Sequence, residues 1–146
     1  MWDNIAKAFR NYATFTGRAT RQEFWTLILV MAVCTVGAHF LDLRDGEIVP
    51  VAAGMGMLEL IAFLLLLLPM ISAGARRLHD SGRSAWWWLF FYIPYLGFVA
   101  PSGSEQLMIA SAAALLIGTA ALVIQFVQPG EAGENRFGPK PYTNSR

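Results

Sequence analysis

Four apolar runs, at about 24–41, 49–75, 85–100 and 106–127, take up most of this chain and leave little polar sequence from which to build a water-soluble shell. Water is absent from a bilayer core, so a crossing segment must bond its own backbone, and a helix needs about 20 apolar residues to span about 30 Å of hydrocarbon. The first and fourth runs fit that length. The third has sixteen residues and rises only about 24 Å at about 1.5 Å per residue, so it must thin the bilayer, use its flanks or turn back as a re-entrant segment. The second is about 37 Å long if helical from Val51 to Ala75, so it must tilt or protrude. A composition of 55% hydrophobic and 14% charged residues excludes an ordinary soluble domain. The expectation is a single all-α membrane domain over residues 1–146, a polytopic bundle of four transmembrane helices.

Orientation follows from where the cations fall. If all four runs cross, Lys7, Arg10, Arg18, Arg21, Arg76, Arg77, Arg83, Arg136, Lys140 and Arg146 share one side, and of the eleven lysines and arginines only Arg44 is left for the other. That bias puts both termini in the cytoplasm, with residues 1–20 an interfacial segment and 128–146 a cytoplasmic tail. Asp42, Asp45, Glu47 and Glu105 then belong to the outer loops. The first apolar run starts too late, and is too long, for a cleavable signal peptide, so it is expected to direct its own insertion. The single Cys34 permits no intrachain disulfide.

Local signals refine this plan. Trp2, Ile5, Phe9 and Tyr12 recur at spacings of three, four and three, which describes a short amphipathic helix lying in the interface. Thr20-Arg21-Gln22-Glu23 matches a capping box directly before the first run, giving Glu23 a structural role. Pro69 lacks an N–H and clashes with the preceding turn, so a kink is expected between Leu65 and Pro69, with neighbours covering the freed carbonyl; Pro94 does likewise in the third run. Ala110, Ala114 and Gly118 form a small-residue stripe, with a shorter one at Ala52 and Gly56, along which another helix or a second subunit can approach closely. Gln128-Pro129-Gly130 then breaks the last helix.

The densest chemistry lies between the second and third runs. Arg76-Arg77-Leu78-His79-Asp80-Ser81-Gly82-Arg83-Ser84-Ala85-Trp86-Trp87-Trp88 combines cations suited to an anionic leaflet with tryptophans suited to headgroup depth. Three readings stand side by side. The arginines hold a tight hairpin at the membrane face; or Arg76 and Arg77 close one helix while Asp80 and Ser84 cap the next; or guanidinium forks grip an anionic headgroup or phosphate. Within the spans, Glu59 is the one carboxylate set well inside an apolar run, and His39 is its plausible partner by depth. No spacing suits a metal, no nucleophile elbow or phosphate-binding loop is present, and nothing points to a cofactor or to nucleic acid.

Phe15-Thr16-Gly17-Arg18-Ala19-Thr20-Arg21-Gln22-Glu23-Phe24-Trp25, then Arg76 to Ser84 with Trp86-Trp87, then Asn135-Arg136-Phe137-Gly138-Pro139 with Pro141, together resemble the Domain of Unknown Function 805 family of bacterial inner-membrane proteins. The resemblance covers nearly the whole chain. It implies a small multi-pass protein of the bacterial inner membrane and carries over no established activity. All three motifs fall on the cytoplasmic side of the topology above, which implies that a shared function lives there rather than at Glu59.

The functional expectation is a non-enzymatic protein whose cytoplasmic face, built from Arg18, Arg21, Glu23, Arg76, Arg77, His79, Asp80, Arg83 and Arg136, binds an anionic lipid headgroup or a protein partner. Two alternatives are a small transporter or ion-conducting oligomer that uses Glu59, and a membrane enzyme acting on lipid phosphates with His79 as acid or base.

Overall fold

The computed structural model describes residues 2–44, 56–89, 92–94 and 104–141. The described residues are helical wherever they are regular: α1 (Trp2–Arg10), α2 (Arg21–Arg44), α3 (Met57–Asp80), a short 3-10 helix (Ala85–Trp88) and α4 (Glu105–Val127). Among them the only β pairing is an isolated bridge between Asn135 and Gly138. Three helices, α2, α3 and α4, are long and apolar enough to cross a membrane. Their outward faces suit only lipid, with Val33 63%, Leu65 59% and Leu116 74% exposed, since apolar surface on that scale has no stable place in water.

Two compact units divide the chain, and the boundary falls inside α3. The first comprises Met1–Phe15 and Gln22–Gly74; the second comprises Thr16–Arg21 and Ala75–Arg146.

In the first unit, α3 runs unbroken through Pro69, which is fully buried. Proline cannot donate to the carbonyl four residues back, and that carbonyl, Leu65 O, accepts a hydrogen bond from the Tyr12 hydroxyl instead. Ser72 Oγ lies 3.2 Å from Asn11 O and 3.1 Å from Tyr12 O, so the segment after α1 is tied to α3 on both sides of the proline. In α1, Ala8 is buried while Phe9 is 45% exposed, and the Trp2 side chain lies outside those described. At the start of α2 the fully buried Glu23 carboxylate meets Lys7 Nζ at 3.0 Å.

In the second unit α3 ends in a Schellman motif. The Arg83 N–H donates to Leu78 O at 2.9 Å and the Gly82 N–H to His79 O at 3.0 Å, with Gly82 at φ +71. The third apolar run opens as the 3-10 helix, where the Trp86 N–H donates to Ser84 Oγ. Ser84 therefore takes the capping role, whereas Asp80, the other candidate cap, is engaged elsewhere. Residues 92–94 are again helical, and 90, 91 and 95–103 lie outside the described residues. Asp45, Glu47, Ala52 and Arg146 lie outside them as well. Ser104 caps α4 by accepting from the Leu107 N–H.

Candidate functional site

The second unit gathers most of the ionisable residues singled out above, and Asp80 is their centre. Arg18 is buried on the loop before α2 and donates from Nε to Asp80 Oδ1 at 2.9 Å. Arg77, one turn before Asp80 on α3, donates from Nη1 to the other oxygen, Oδ2. One carboxylate thus pairs with two guanidiniums and offsets one of their two charges, and charge-assisted bonds of this kind are about twice as strong as neutral ones.

The remaining guanidinium donors go to backbone carbonyls. Arg18 Nη1 reaches Gly133 O at 2.6 Å and Gly138 O at 3.3 Å, and its Nη2 reaches Glu131 O at 2.6 Å. Arg77 Nε donates to Phe126 O at 3.2 Å, and its Nη2 donates to Gln128 O. Those carbonyls belong to the end of α4 and to the tail beyond it. A helix leaves its last carbonyls without intrahelical partners, and here arginines from two other segments supply them. The tail also approaches Asp80 very closely: a Cβ on Gly130 would collide with its carboxylate, so only glycine fits there. The Glu131 N–H donates to Asp80 O at 2.8 Å, and the Ala19 N–H to Arg76 O at 3.0 Å.

His79 is held by three contacts. Its Nδ1 lies 3.2 Å from Gly17 O and so carries the proton, its carbonyl accepts from Asn135 Nδ2 at 2.9 Å, and its ring stacks on Phe137 with centroids 3.9 Å apart. Three other arginines sit differently. Arg21 is exposed and donates to Val127 O at 3.2 Å, Arg136 is exposed and donates to Gly82 O at 3.2 Å, and Arg83 lies with its guanidinium 5.1 Å above the Trp87 ring. Among the described residues none of these three has a carboxylate partner.

The structure therefore brings Arg18, Arg77, His79 and Asp80 into one bonded network. Arg76 lies buried beside it, and Arg21, Arg83 and Arg136 hold carbonyls or rings with charge to spare. Glu23 belongs to the first unit, with Lys7. Sequence reasoning missed the acceptors. The tail looked like a polar, Gly/Pro-rich ending, and backbone carbonyls carry no residue-type signature; the Asn135 to Pro139 motif was the signal that this segment has a defined conformation.

A second polar cluster lies in the first unit, between the end of α2 and the start of α3. The buried Asp42 carboxylate accepts from the Leu58 N–H at 3.1 Å and the Glu59 N–H at 2.9 Å, acting as a cap from a distant residue. His39 Nδ1 lies 2.8 Å from Glu59 Oε2. Glu59 occupies the first turn of α3, closer to a helix end than the length of the apolar run suggested. Gly56 abuts Asp42 as Gly130 abuts Asp80: an added Cβ would strike the carboxylate. Among the described residues no three His, Cys, Asp or Glu side chains are grouped to hold a metal ion.

Residues 12–139, which contain the whole Asp80 network, match the family described as "Protein of unknown function (DUF805)". The chain belongs to the DUF805 family. It is 37% identical over 139 residues to "Inner membrane protein YhaH" of Escherichia coli (strain K12), covering 95% of this chain and 96% of that one. It is 30% identical over 132 residues to "Inner membrane protein YhaI" of the same organism, covering 90% and 89%. No solved structure matches. With its apolar helices, this DUF805 protein is an integral inner-membrane protein.

Proposed function

We propose that this DUF805 protein crosses the inner membrane four times, with both termini in the cytoplasm, and serves there as a non-enzymatic binding protein for anionic lipid headgroups. The Asp80 network supplies a rigid floor on which Arg18 and Arg77 have spent their donors on the protein itself. The ligand-facing cations are Arg21, Arg83 and Arg136. The observation that carries this reading is the pattern of partners: the buried Arg18 and Arg77 share the Asp80 carboxylate, and the three at the rim have no carboxylate among the described residues. Planar guanidiniums with spare donors are suited to a phosphate group. His79, stacked and bonded on the same floor, orients the tail.

Native mass spectrometry of the gently extracted protein tests this by comparing wild type with R21Q/R83Q/R136Q. Loss of retained anionic lipid in the variant is the expected result; unchanged retention by a folded variant overturns the reading, and loss of a co-purifying protein instead of lipid transfers the surface to a protein partner. A C-terminal reporter that fluoresces only in the cytoplasm tests the topology, and a dark fusion overturns it.

The His39–Glu59 pair favours a second reading, a small transporter or ion-conducting oligomer with a protonatable site at that contact. It predicts a flux in proteoliposomes that E59Q abolishes, and an unaltered flux removes it.

A further inference from the structure

The small-residue stripe of α4 faces a feature that the headgroup reading leaves unused. An apolar cavity of about 760 Å³ opens between the start of the third apolar run and α4, with Trp86, Leu89 and Pro94 on one side and Ala114, Gly118 and Ala121 on the other. Small side chains make its floor and broad rings its wall. Ala121 and Ala114 lie six and thirteen residues before Val127, the last residue of α4, so the cavity runs from about 9 to about 20 Å along the helix from that end. In the topology proposed above, that interval lies within the hydrocarbon core, starting in the cytoplasmic leaflet and reaching past the midplane.

Trp87, which also lines the cavity, carries the Arg83 guanidinium on its ring. Among the described residues the ring is the one partner of the Arg83 guanidinium. An apolar slot at acyl-chain depth and a cation joined to it through an indole have the two-part chemistry of a phospholipid with a net negative headgroup, and basic pockets between helices on the cytoplasmic side take such headgroups. A second copy of the chain suits the slot less well: of the carboxylates on its long helices, Glu23, Asp42, Glu59 and Asp80 are each already engaged, and Glu105 starts α4 at the end away from Val127, which leaves none of them to answer Arg83.

We infer that this cavity is a binding site for one anionic phospholipid, with an acyl chain against Ala114, Gly118 and Ala121 and its phosphate on Arg83. The inference deepens the headgroup reading and rests on it.

Titration of the delipidated protein in non-ionic detergent with phosphatidylglycerol and with phosphatidylcholine, read by native mass spectrometry, tests it. Wild type should take up one phosphatidylglycerol about tenfold more tightly than phosphatidylcholine, the scale of one charge-assisted contact. R83Q should erase that preference. A114L/A121L, which fills the slot from an outward-facing helix, should abolish the first binding step for both lipids. Equal affinity of wild type for the two lipids overturns the site, as does an A114L/A121L variant that binds like wild type, or a lipid-free dimer that A114L/A121L disrupts. If R21Q/R136Q loses the preference while A114L/A121L and R83Q keep it, the headgroup reading stands and the cavity site falls. If A114L/A121L does not fold, R83Q decides alone.

Discussion

Asp42 and Asp80 are both buried carboxylates at the ends of long helices, each pressed against a glycine, yet they are satisfied by opposite means. Asp42 accepts two backbone N–H groups at the first turn of α3, only 16 and 17 residues along the chain. Asp80 is met by two guanidiniums, one of them 62 residues away, and these arginines in turn hold the carbonyls of a third segment. A helix start offers orphan donors and a partial positive charge, so a lone carboxylate suffices there. A helix end offers orphan carbonyls, so it needs cations, and buried cations need a carboxylate of their own. The first arrangement closes one helical hairpin. The second binds an N-terminal loop, the end of α3 and the tail into one unit, and so creates the face on which other charges can be displayed.

The same substitution at the two sites should separate them. Asp80→Asn leaves two buried guanidiniums without a counter-charge, and removing one partner of a buried pair costs about 3–5 kcal/mol; a lower thermal midpoint in detergent, with faster tryptic cleavage after Arg136, is the expected result. Next in size, Gly130→Ala forces a methyl group against Asp80 and costs about 1–3 kcal/mol, as overpacking generally does, with the same loss of tail protection. At the other end, Asp42→Ala removes a helix cap worth about 1–2 kcal/mol and leaves tail cleavage unchanged, while Asp42→Asn, which keeps a capping oxygen, costs under about 1 kcal/mol. A thermal midpoint that falls as far for Asp42→Asn as for Asp80→Asn erases the distinction between a capping and a charge-neutralising carboxylate.

The legible parts of this protein were those written in side-chain type. The runs that became α2 and α4 stood out because apolar length alone sets what can cross a bilayer. Arg76 to Trp88 stood out by its density of charge and tryptophan, and the freed carbonyl at Pro69 was foreseeable from the missing N–H, although which residue would satisfy it was not. Tyr12, read as part of an amphipathic stripe, is the answer. Asp42 was assigned only to an outer loop, because capping by a residue 16 positions away leaves no local pattern. The Thr20 to Glu23 pattern and the clustering of ionisable residues at one membrane face both single out Glu23, but neither identifies Lys7, which its carboxylate meets.

From the sequence alone came an all-helical integral membrane protein with its cations concentrated around three motifs, because hydrocarbon thickness and backbone self-bonding are demands on composition that any chain order must meet. Which arginines are buried and which remain available was decided only in the tertiary structure. Arg18, Arg77 and Arg136 are chemically alike along the chain. They differ in what the folded backbone holds out to them: a shared carboxylate with tail carbonyls for Arg18 and helix-end carbonyls for Arg77, and a single carbonyl and an aromatic face for Arg136. Hydrogen bonding is short-ranged and directional, so a residue's role is set by which acceptors come within about 3 Å of it, and only the fold brings them there.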